Sequence, residues 1–426
     1  MTAAAVRVAG RTAIDVVMAI VGLPILLLGL LALLVPGWRN RGGRPRLLWG
    51  TTPIKSLSYL AEALRQGGYV SEVAVTHLYP IVKPDDFDHV LCTDPRRNVV
   101  VRRIGDTLLA YLFFVRALRR YDVFQYYFDG GVLNRTPLSR LEYPLLRLCG
   151  KRLVLLPYGS DTWVLDQVDH LPWRHALMIE YAVALGNNAA RIWRRTRRSV
   201  RYADVVVGCL WHVVCLPRWD VLPLTCYPID TDRIQPRPPT TTGTVRIAHA
   251  SNHRGAKGTE FIIDAVERLR DEGEDVELTL IEGMANDEAL SVMAQADIYL
   301  DQLVAAYALA ALEGMALGKV VISPIEDLPM YDMFRRYSYL AECPIVPATP
   351  ESVYDVLRNL LQRRDEWPEI GRSTREYCER RHSLAAAREM WEAIYARIWS
   401  DEDVDLINFY HPLFERRRRE AADRVS

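Results

Sequence analysis

The chain has 426 residues, too many for one ordinary core and enough for two domains of normal size with extra segments. Half of the residues are hydrophobic and a quarter charged, as in a globular protein, and the net charge is zero, which removes nucleic acid as a bulk partner. The seven cysteines are odd in number and form no Cys-x-x-Cys pair, which argues against a disulfide framework or a structural zinc site and fits a reducing compartment.

Val16 to Val35 is an uncharged apolar run, long enough to enter or cross a bilayer. It is longer than the apolar region of a signal peptide, and no clear Ala-x-Ala site follows it. Arg39, Arg41, Arg44 and Arg46 lie after the run, against Arg7 and Arg11 before it. The positive-inside rule then places the rest of the chain on the cytoplasmic side of the cytoplasmic membrane, with residues 1–40 as the anchor. Pro24 removes a backbone donor near the middle of the run and can kink a helix there. Arg11, Asp15 and Gly22-Leu23-Pro24 resemble the re-entrant membrane helix of the monotopic phosphoglycosyl transferases, so a kinked spanning helix and a re-entrant one both remain open.

Arg46 to Gly50 reads as a buried strand, Thr51-Thr52-Pro53 as a loop, and Ile54 to Gln66 as a helix ended by Gly67-Gly68. Further strands are expected at Val73 to Val75, Val123 to Phe128, Leu153 to Pro157 and Val205 to Cys209, with helices at Ile104 to Arg120 and His175 to Arg201. This alternation predicts a parallel sheet covered on both faces, here over residues 44–236. Gln235 to Thr244, rich in Pro and Thr and without apolar period, reads as a linker. A second α/β unit follows over 245–384. Its strands are expected at Val245 to Ala250, Val276 to Ile281, Ile298 to Asp301 and Val320 to Ser323. Its helices are expected at Thr259 to Glu272, Asp287 to Gln295 and Ala308 to Leu317.

The densest chemical signal is Ala250-Ser251-Asn252-His253-Arg254-Gly255-Ala256-Lys257-Gly258-Thr259, between a strand and a helix. Backbone N–H groups at a helix N-terminus bind phosphate oxygens, and Arg254 and Lys257 can add a donor fork and a point charge. The glycine spacing of a P-loop is absent, and an ordinary loop with solvated charges gives the same string. Some fifty residues on come Ala296-Asp297-Ile298-Tyr299-Leu300-Asp301-Gln302 and Leu312-Glu313-Gly314-Met315-Ala316-Leu317-Gly318-Lys319. A carboxylate such as Glu313, at the C-terminal edge of a parallel sheet, can accept both hydroxyls of a ribose, and a solvated helix-face Glu is the alternative.

The stretch from Arg246 to Ser323 resembles the C-terminal domain of the retaining glycosyltransferases of family four. It matches in order their N-x-R-G-x-K-G-T run, a strand ending in x-E-G at Glu282, an A-D-I-x-x-D-Q strand and an E-A-M-A-L-G-K helix, with Gly314 in place of the first Ala. In the N-terminal half, Gly150 to Asp161 resembles the family's strand ending in H-G-S-D, and Tyr202 to Val207 and Leu222 to Pro236 resemble its segment entering the linker. The resemblance covers residues 46–395 and implies a GT-B fold. Two Rossmann-like domains would then face each other across a cleft, after an N-terminal membrane helix, with residues 385–400 crossing back to the first domain and 401–426 as a tail.

For function, the resemblance implies transfer of a sugar, with retention, from a nucleotide-sugar to a cell-surface glycan or lipid-linked acceptor at the membrane, without metal or other cofactor. Arg254 and Lys257 would hold the donor diphosphate and Glu313 the ribose, with Gly255 and Glu282 also among the donor-binding residues, while Tyr158 and Asp161 would stand at the catalytic centre. Two positions depart from the family: Tyr158 stands for its His, and Ala305 for the first Glu of its E-x7-E pair. Both touch the sugar side and neither the nucleotide side, so a catalytically silent GT-B protein that scaffolds glycan assembly is the alternative. Two basic stretches, Arg102-Arg103 with Arg116 to Arg120 and the arginines of 191–201, are candidates for guiding a lipid-diphosphate acceptor, or are solvated faces of core helices; Arg416 to Arg419 reads as a solvated run.

Overall fold

The computed structural model describes residues 3–32, 43–79, 82–181, 186, 188–208, 210–223, 227–304, 306–325 and 329–423. Short apolar runs separated by amphipathic helices pair in parallel, because each strand can bury both faces only between helix layers. The first sheet is built from Leu47–Thr51 (β1), Ser71–Val75 (β2), His89–Val90 (β3), Val123–Tyr127 (β4), Arg152–Leu156 (β5), Val205–Gly208 (β6) and Leu222–Pro223 (β7), in the order β3-β2-β1-β4-β5-β6-β7. The second comprises Val245–Ala250 (β8), Val276–Ile281 (β9), Ile298–Leu300 (β10), Val320–Ser323 (β11) and Val346–Pro347 (β12), in the order β12-β11-β10-β8-β9. Every pairing is parallel. Strand order reverses between β1 and β4 and again between β8 and β10, and ligand crevices of such sheets open at those points, beyond the C-terminal strand ends.

The helices of the first half are Ala3–Ala32 (α1), Lys55–Gln66 (α2), Val99–Arg120 (α3), Glu142–Leu148 (α4), Leu171–Tyr181 (α5) and Ala189–Ser199 (α6). Those of the second are Arg254–Lys257 (α7), Thr259–Asp271 (α8), Asn286–Met293 (α9), Leu309–Ala316 (α10), Pro329–Tyr337 (α11), Val353–Gln362 (α12) and Trp367–His382 (α13), with Leu384–Ile398 (α14) and Pro412–Asp423 (α15) closing the chain. The single helix expected over His175 to Arg201 is two helices, α5 and α6. Gly186, Asn187 and Asn188 are poor helix formers, and Asn188 holds a non-helical N-cap conformation before α6. The expected linker is not a free tether. Arg237 N–H donates to Leu317 O at 2.8 Å, and Thr240 donates from both its N–H and its hydroxyl to Asp297 Oδ1 at 2.8 Å. The arginines of 416–419 are also tied in part: Arg418 lies 3.9 Å from the centre of the Phe409 ring, and Glu415 pairs with both Arg419 and the buried Arg381.

One helix among the described residues is long and apolar enough to cross a membrane, Thr12–Leu31, with mean hydropathy 2.6 over 20 residues. It does not stand alone. α1 lies along α3, held at one end by an ion pair between Asp15 and Arg103, whose Nε donates to Asp15 Oδ1 at 2.9 Å. Gly22 is set against the Tyr111 ring and Gly29 against Val115, so close that any Cβ at either glycine would collide. Leu26 is buried in the resulting seam. The opposite face of α1, including Val16, Ile20 and Leu27, is exposed, as are Val101, Leu109 and Leu112 of α3.

α14 belongs to the core of the first sheet, although the chain reaches it last. Trp391 packs edge-on against Trp49 of β1 with centroids 4.7 Å apart, and Tyr395 Oη donates to Gln125 Oε1 at 2.5 Å. Ser383 caps α14 by accepting from Ala386 N–H at 3.1 Å. Beside it, Ile229 N–H donates to His382 O at 2.7 Å, so the two segments that pass between the sheets run side by side. Trp391→Ala should cost about 3–5 kcal/mol, the usual range for emptying a buried aromatic site. Urea unfolding measures it; a loss below about 1 kcal/mol would show that α14 adds little to that core.

Candidate functional site

The second sheet presents β8 and β10 to the crevice. His249, on β8, is fully buried: its Nδ1 pairs with Leu300 O at 2.8 Å and its Nε2 with Thr259 Oγ1 at 2.9 Å. Burial holds its pKa down to about 4, so it is a neutral strut joining β8, β10 and α8. The chain then turns into α7 and passes to α8 through Gly258, which at φ +74° sits in the left-handed region that glycine tolerates. Lys257 directs Nζ to Ala250 O at 3.0 Å and to the fully buried Asp301 at 3.4 Å. Asp301 in turn accepts from Ala308 N–H at 3.0 Å, which fixes the start of α10. Glu313, one turn into α10, is buried and accepts from Asn286 Nδ2 at 2.8 Å. Burial raises its pKa, with the Asp301 charge adding to the effect and the Asn286 amide and Lys257 opposing it.

The donor-side residues read from the sequence are thus gathered around one crevice. Besides Lys257 and Glu313, the others are also already engaged: Arg254 donates to Glu282 Oε1 at 2.8 Å and to Glu260 Oε1 at 2.7 Å. Gly255 N–H, the group expected to meet a phosphate, donates to Glu180 Oε1 of α5 at 2.7 Å. The neighbouring Ile179 packs against Gly255, and His253 lies 3.7 Å from Glu180 Oε2. Tyr59 of α2 approaches from the first half: burial, and next the charge of Glu313, push its pKa up to about 12.

The first sheet presents the ends of β1, β4 and β5. Asp161 is buried, and both carboxylate oxygens are engaged by backbone: Oδ2 by Phe128 N–H at 3.0 Å, and Oδ1 by Tyr158 N–H at 3.1 Å and Gly159 N–H at 2.9 Å. Asp161 therefore shapes the loop after β5 and ties it to β4. Burial, reinforced by the charge of Asp129, pushes its pKa up to about 7. Asp129, just after β4, accepts from the Thr52 hydroxyl, while its Oδ1 is shielded from solvent and has no hydrogen-bond partner among the described residues. Burial raises its pKa too. Tyr158 is partly buried edge-on against Tyr127, with centroids 5.0 Å apart, and burial followed by the charges of Asp129 and Asp161 raises its pKa. Arg195 of α6 donates to Asp161 O at 2.7 Å and brings the cation nearest this acidic pair.

Several of these groups escape a sequence reading. Asp129 carries a signal, a carboxylate followed by Gly130-Gly131 at the end of an expected strand. Asn286, Tyr59 and Glu180 carry none, since each meets its partner only across the fold. Ala305 lies outside the described residues, so the departure read there has no structural account. Among the described residues no group of three or more His, Cys, Asp or Glu side chains is disposed to hold a metal ion.

No protein-family model matches the chain, and no curated protein matches it. Solved structures do match. A glycosyltransferase from Rickettsia africae superposes with a TM-score of 0.52 at 10% identity, covering 84% of this chain and all of that one (100%). HepE of Anabaena, solved with UDP and glucose, gives 0.51 at 10% identity over 82% of this chain and 99% of its own. The fold is GT-B. HepE has also been solved with UDP-glucose, again at a TM-score of 0.51. Lys257, Glu313 and Asn286 form one wall at the edge of the second sheet, with Tyr59 of α2 near enough to feel the Glu313 charge.

His249 permits a test of the wall itself. Its folded pKa lies below the ordinary histidine value of about 6.5, so unfolding takes up a proton below that pH, and its share of stability is lost as pH falls from about 6.5 to about 4. The slope is at most about 1.4 kcal/mol per pH unit. His249→Gln should flatten the fall in unfolding free energy between pH 6.5 and 4.5 relative to wild type. Parallel curves would mean that His249 is not held neutral by the fold.

Proposed function

We propose that this chain is a glycosyltransferase that takes a sugar from a nucleotide-sugar donor bound on the second domain and passes it, with retention and without a metal, to an acceptor presented at the membrane. The observation that carries the reading is the wall of Lys257, Asp301, Asn286 and Glu313: one cation and two buried carboxylates at the C-terminal edge of the second sheet. A diphosphate at the α7 turn would meet Gly255 N–H, Lys257 and Arg254, and a ribose would meet Glu313. Lys257 would then stabilise charge developing on the departing nucleotide. The donor phosphate itself would help remove the acceptor proton. The GT-B fold shared with HepE, which binds UDP and UDP-glucose, makes a uridine donor the first to try.

For membrane attachment the support is the exposed apolar face of α1 together with its seating on α3. A helix fixed along a soluble domain by Asp15–Arg103 and by two glycine contacts suits attachment in the plane of the membrane surface, closer to the re-entrant alternative than to a free spanning helix. The domains would then lie on the cytoplasmic face, where acceptors of glycan or lipid-linked type are built.

A second reading, a GT-B protein that binds nucleotide or a partner without turnover and scaffolds an assembly, is favoured by Glu180, whose carboxylate already sits on Gly255 N–H. Calorimetric titration with UDP and UDP-glucose separates the two when combined with a donor-turnover assay. Lys257→Ala should weaken UDP by roughly ten- to hundredfold, the effect of losing a charge-assisted contact of about 1.5–3 kcal/mol, and Arg254→Ala should weaken it in the same direction. Glu313→Ala should weaken uridine and UDP alike. Glu180→Ala should tighten UDP by a few-fold, about what releasing one competing hydrogen bond of ~1 kcal/mol gives. UDP binding that ignores Lys257 would remove this loop as the diphosphate site, and binding without sugar transfer or hydrolysis would establish the scaffold reading.

A further inference from the structure

A cavity of about 870 Å³ opens away from Lys257. It lies in the first domain, between α1, the first turns of α3, and the loops that leave β2, β3 and β4. Ile14, Leu78, Leu91, Val100, Ala110 and Val132 make its apolar walls. Arginines 102, 103 and 135 also line it.

The charges do not cancel. Arg103 is used by Asp15. Asp106 is used by Thr93, whose N–H donates at 2.6 Å and whose hydroxyl donates at 2.7 Å. His77 is held neutral, because burial, aided by the Arg135 charge, lowers its pKa to about 4. Arg102 makes one long contact, to Pro95 O at 3.4 Å, and Arg135 has no ion pair among the described residues. Thr93 is neutral and leaves the Asp106 charge in place, so with Asp15 set against Arg103 the three arginines outnumber the carboxylates by one, and neither Arg102 nor Arg135 makes an ion pair among the described residues. A site of this kind needs an occupant with an anionic end and a large apolar remainder, since a free phosphate fills little of the volume and gains nothing from the walls.

The position of the cavity says which end goes where. Val99 and Val100 are exposed at its mouth and continue into the exposed apolar faces of α1 and α3. On the other side, the Arg135 charge is felt by Tyr79 and Asp129, and both of those act on Tyr158. We infer that this cavity seats a lipid phosphate as the acceptor, with its hydrocarbon chain leaving past Val99 and Val100 toward the membrane and its phosphate between Arg102 and Arg135. The acceptor role rests on the transferase reading; the binding of the lipid does not.

The test uses the full chain in a neutral maltoside detergent, with geranyl phosphate as the probe and geraniol and inorganic phosphate as its two halves. Geranyl phosphate should bind at least tenfold more tightly than either half. Arg135→Ala and Arg102→Ala should each weaken it about tenfold, the loss of one charge-assisted contact of ~1.4 kcal/mol. Val100→Trp, at the exposed mouth, should weaken geranyl phosphate while leaving the thermal midpoint in place. Cys92, a lining residue, should be alkylated more slowly by maleimide when the probe is bound. Equal affinity for wild type and both arginine variants overturns the inference. Tight binding of inorganic phosphate alone would make this a free-anion site, and geraniol binding as tightly as its phosphate would make it a plain apolar groove; either result overturns it too. UDP titration of the same samples keeps the two proposals apart. Lipid binding without UDP binding sinks the transferase reading alone, and UDP binding without lipid binding sinks this one alone.

Discussion

The working geometry depends on the double tie between the two halves of the chain. Parallel sheets expose their useful groups at the C-terminal strand ends, and two such edges form a cleft only if they are held face to face. Here the outgoing segment at Ile229 and the returning segment at His382 share a backbone hydrogen bond of 2.7 Å. α14 then sinks Trp391 against Trp49, deep in the first sheet. Arg375 reinforces the same place from the second domain, donating to the carbonyls of Ile234 at 2.7 Å and Thr231 at 2.9 Å.

Between the two halves the contacts are both apolar and charged: Trp173, Leu177 and Cys215 of the first belong to one buried cluster with Tyr299, Tyr307 and Met315 of the second, and the charged contacts beside it are lighter. Glu180 meets Gly255 N–H and His253, and Lys83 lies 3.8 Å from Asp287. Such exposed or half-exposed pairs contribute little each and yield to solvent or to a ligand. A phosphate at α7, as proposed, would compete with the Glu180 carboxylate for Gly255 N–H, and would thereby couple ligand binding to the contact between α5 and α7. The buried carboxylates behave differently. Asp161 is held by three backbone N–H groups, and its removal would unseat the loop that carries Tyr158.

α1 joins the membrane question to the site. Its glycines at 22 and 29 bring it into contact with α3, and the Asp15–Arg103 pair closes the end nearest the large cavity. One helix thus supplies an exposed apolar face, a wall of the cavity and the neutralisation of one of its three arginines. That economy places the apolar surface and the first domain's sheet edge within a single packed unit.

The local physics of this fold is legible in the sequence. Apolar runs of strand length, amphipathic spacing between them and the Gly-rich turn around 254–259 gave the longer strands of both sheets and their parallel sense, because each depends on neighbours a few positions away, while the two-residue strands β3, β7 and β12 are too short to leave such a pattern. Lys257 and Glu313 could be named for the same reason: they follow strands whose ends must point at the crevice. What the sequence could not carry are contacts between remote segments. Glu180 and Gly255 are 75 residues apart, and Arg103 and Asp15 are 88 apart. No period or motif encodes either pairing, so the packing of the apolar helix, read as a membrane anchor, against α3 was not legible in the sequence. Which carboxylate meets the α7 turn, and which arginines face the cavity unpaired, was decided by packing alone, since burial and Coulomb energy act on distances in space that the order of residues does not contain.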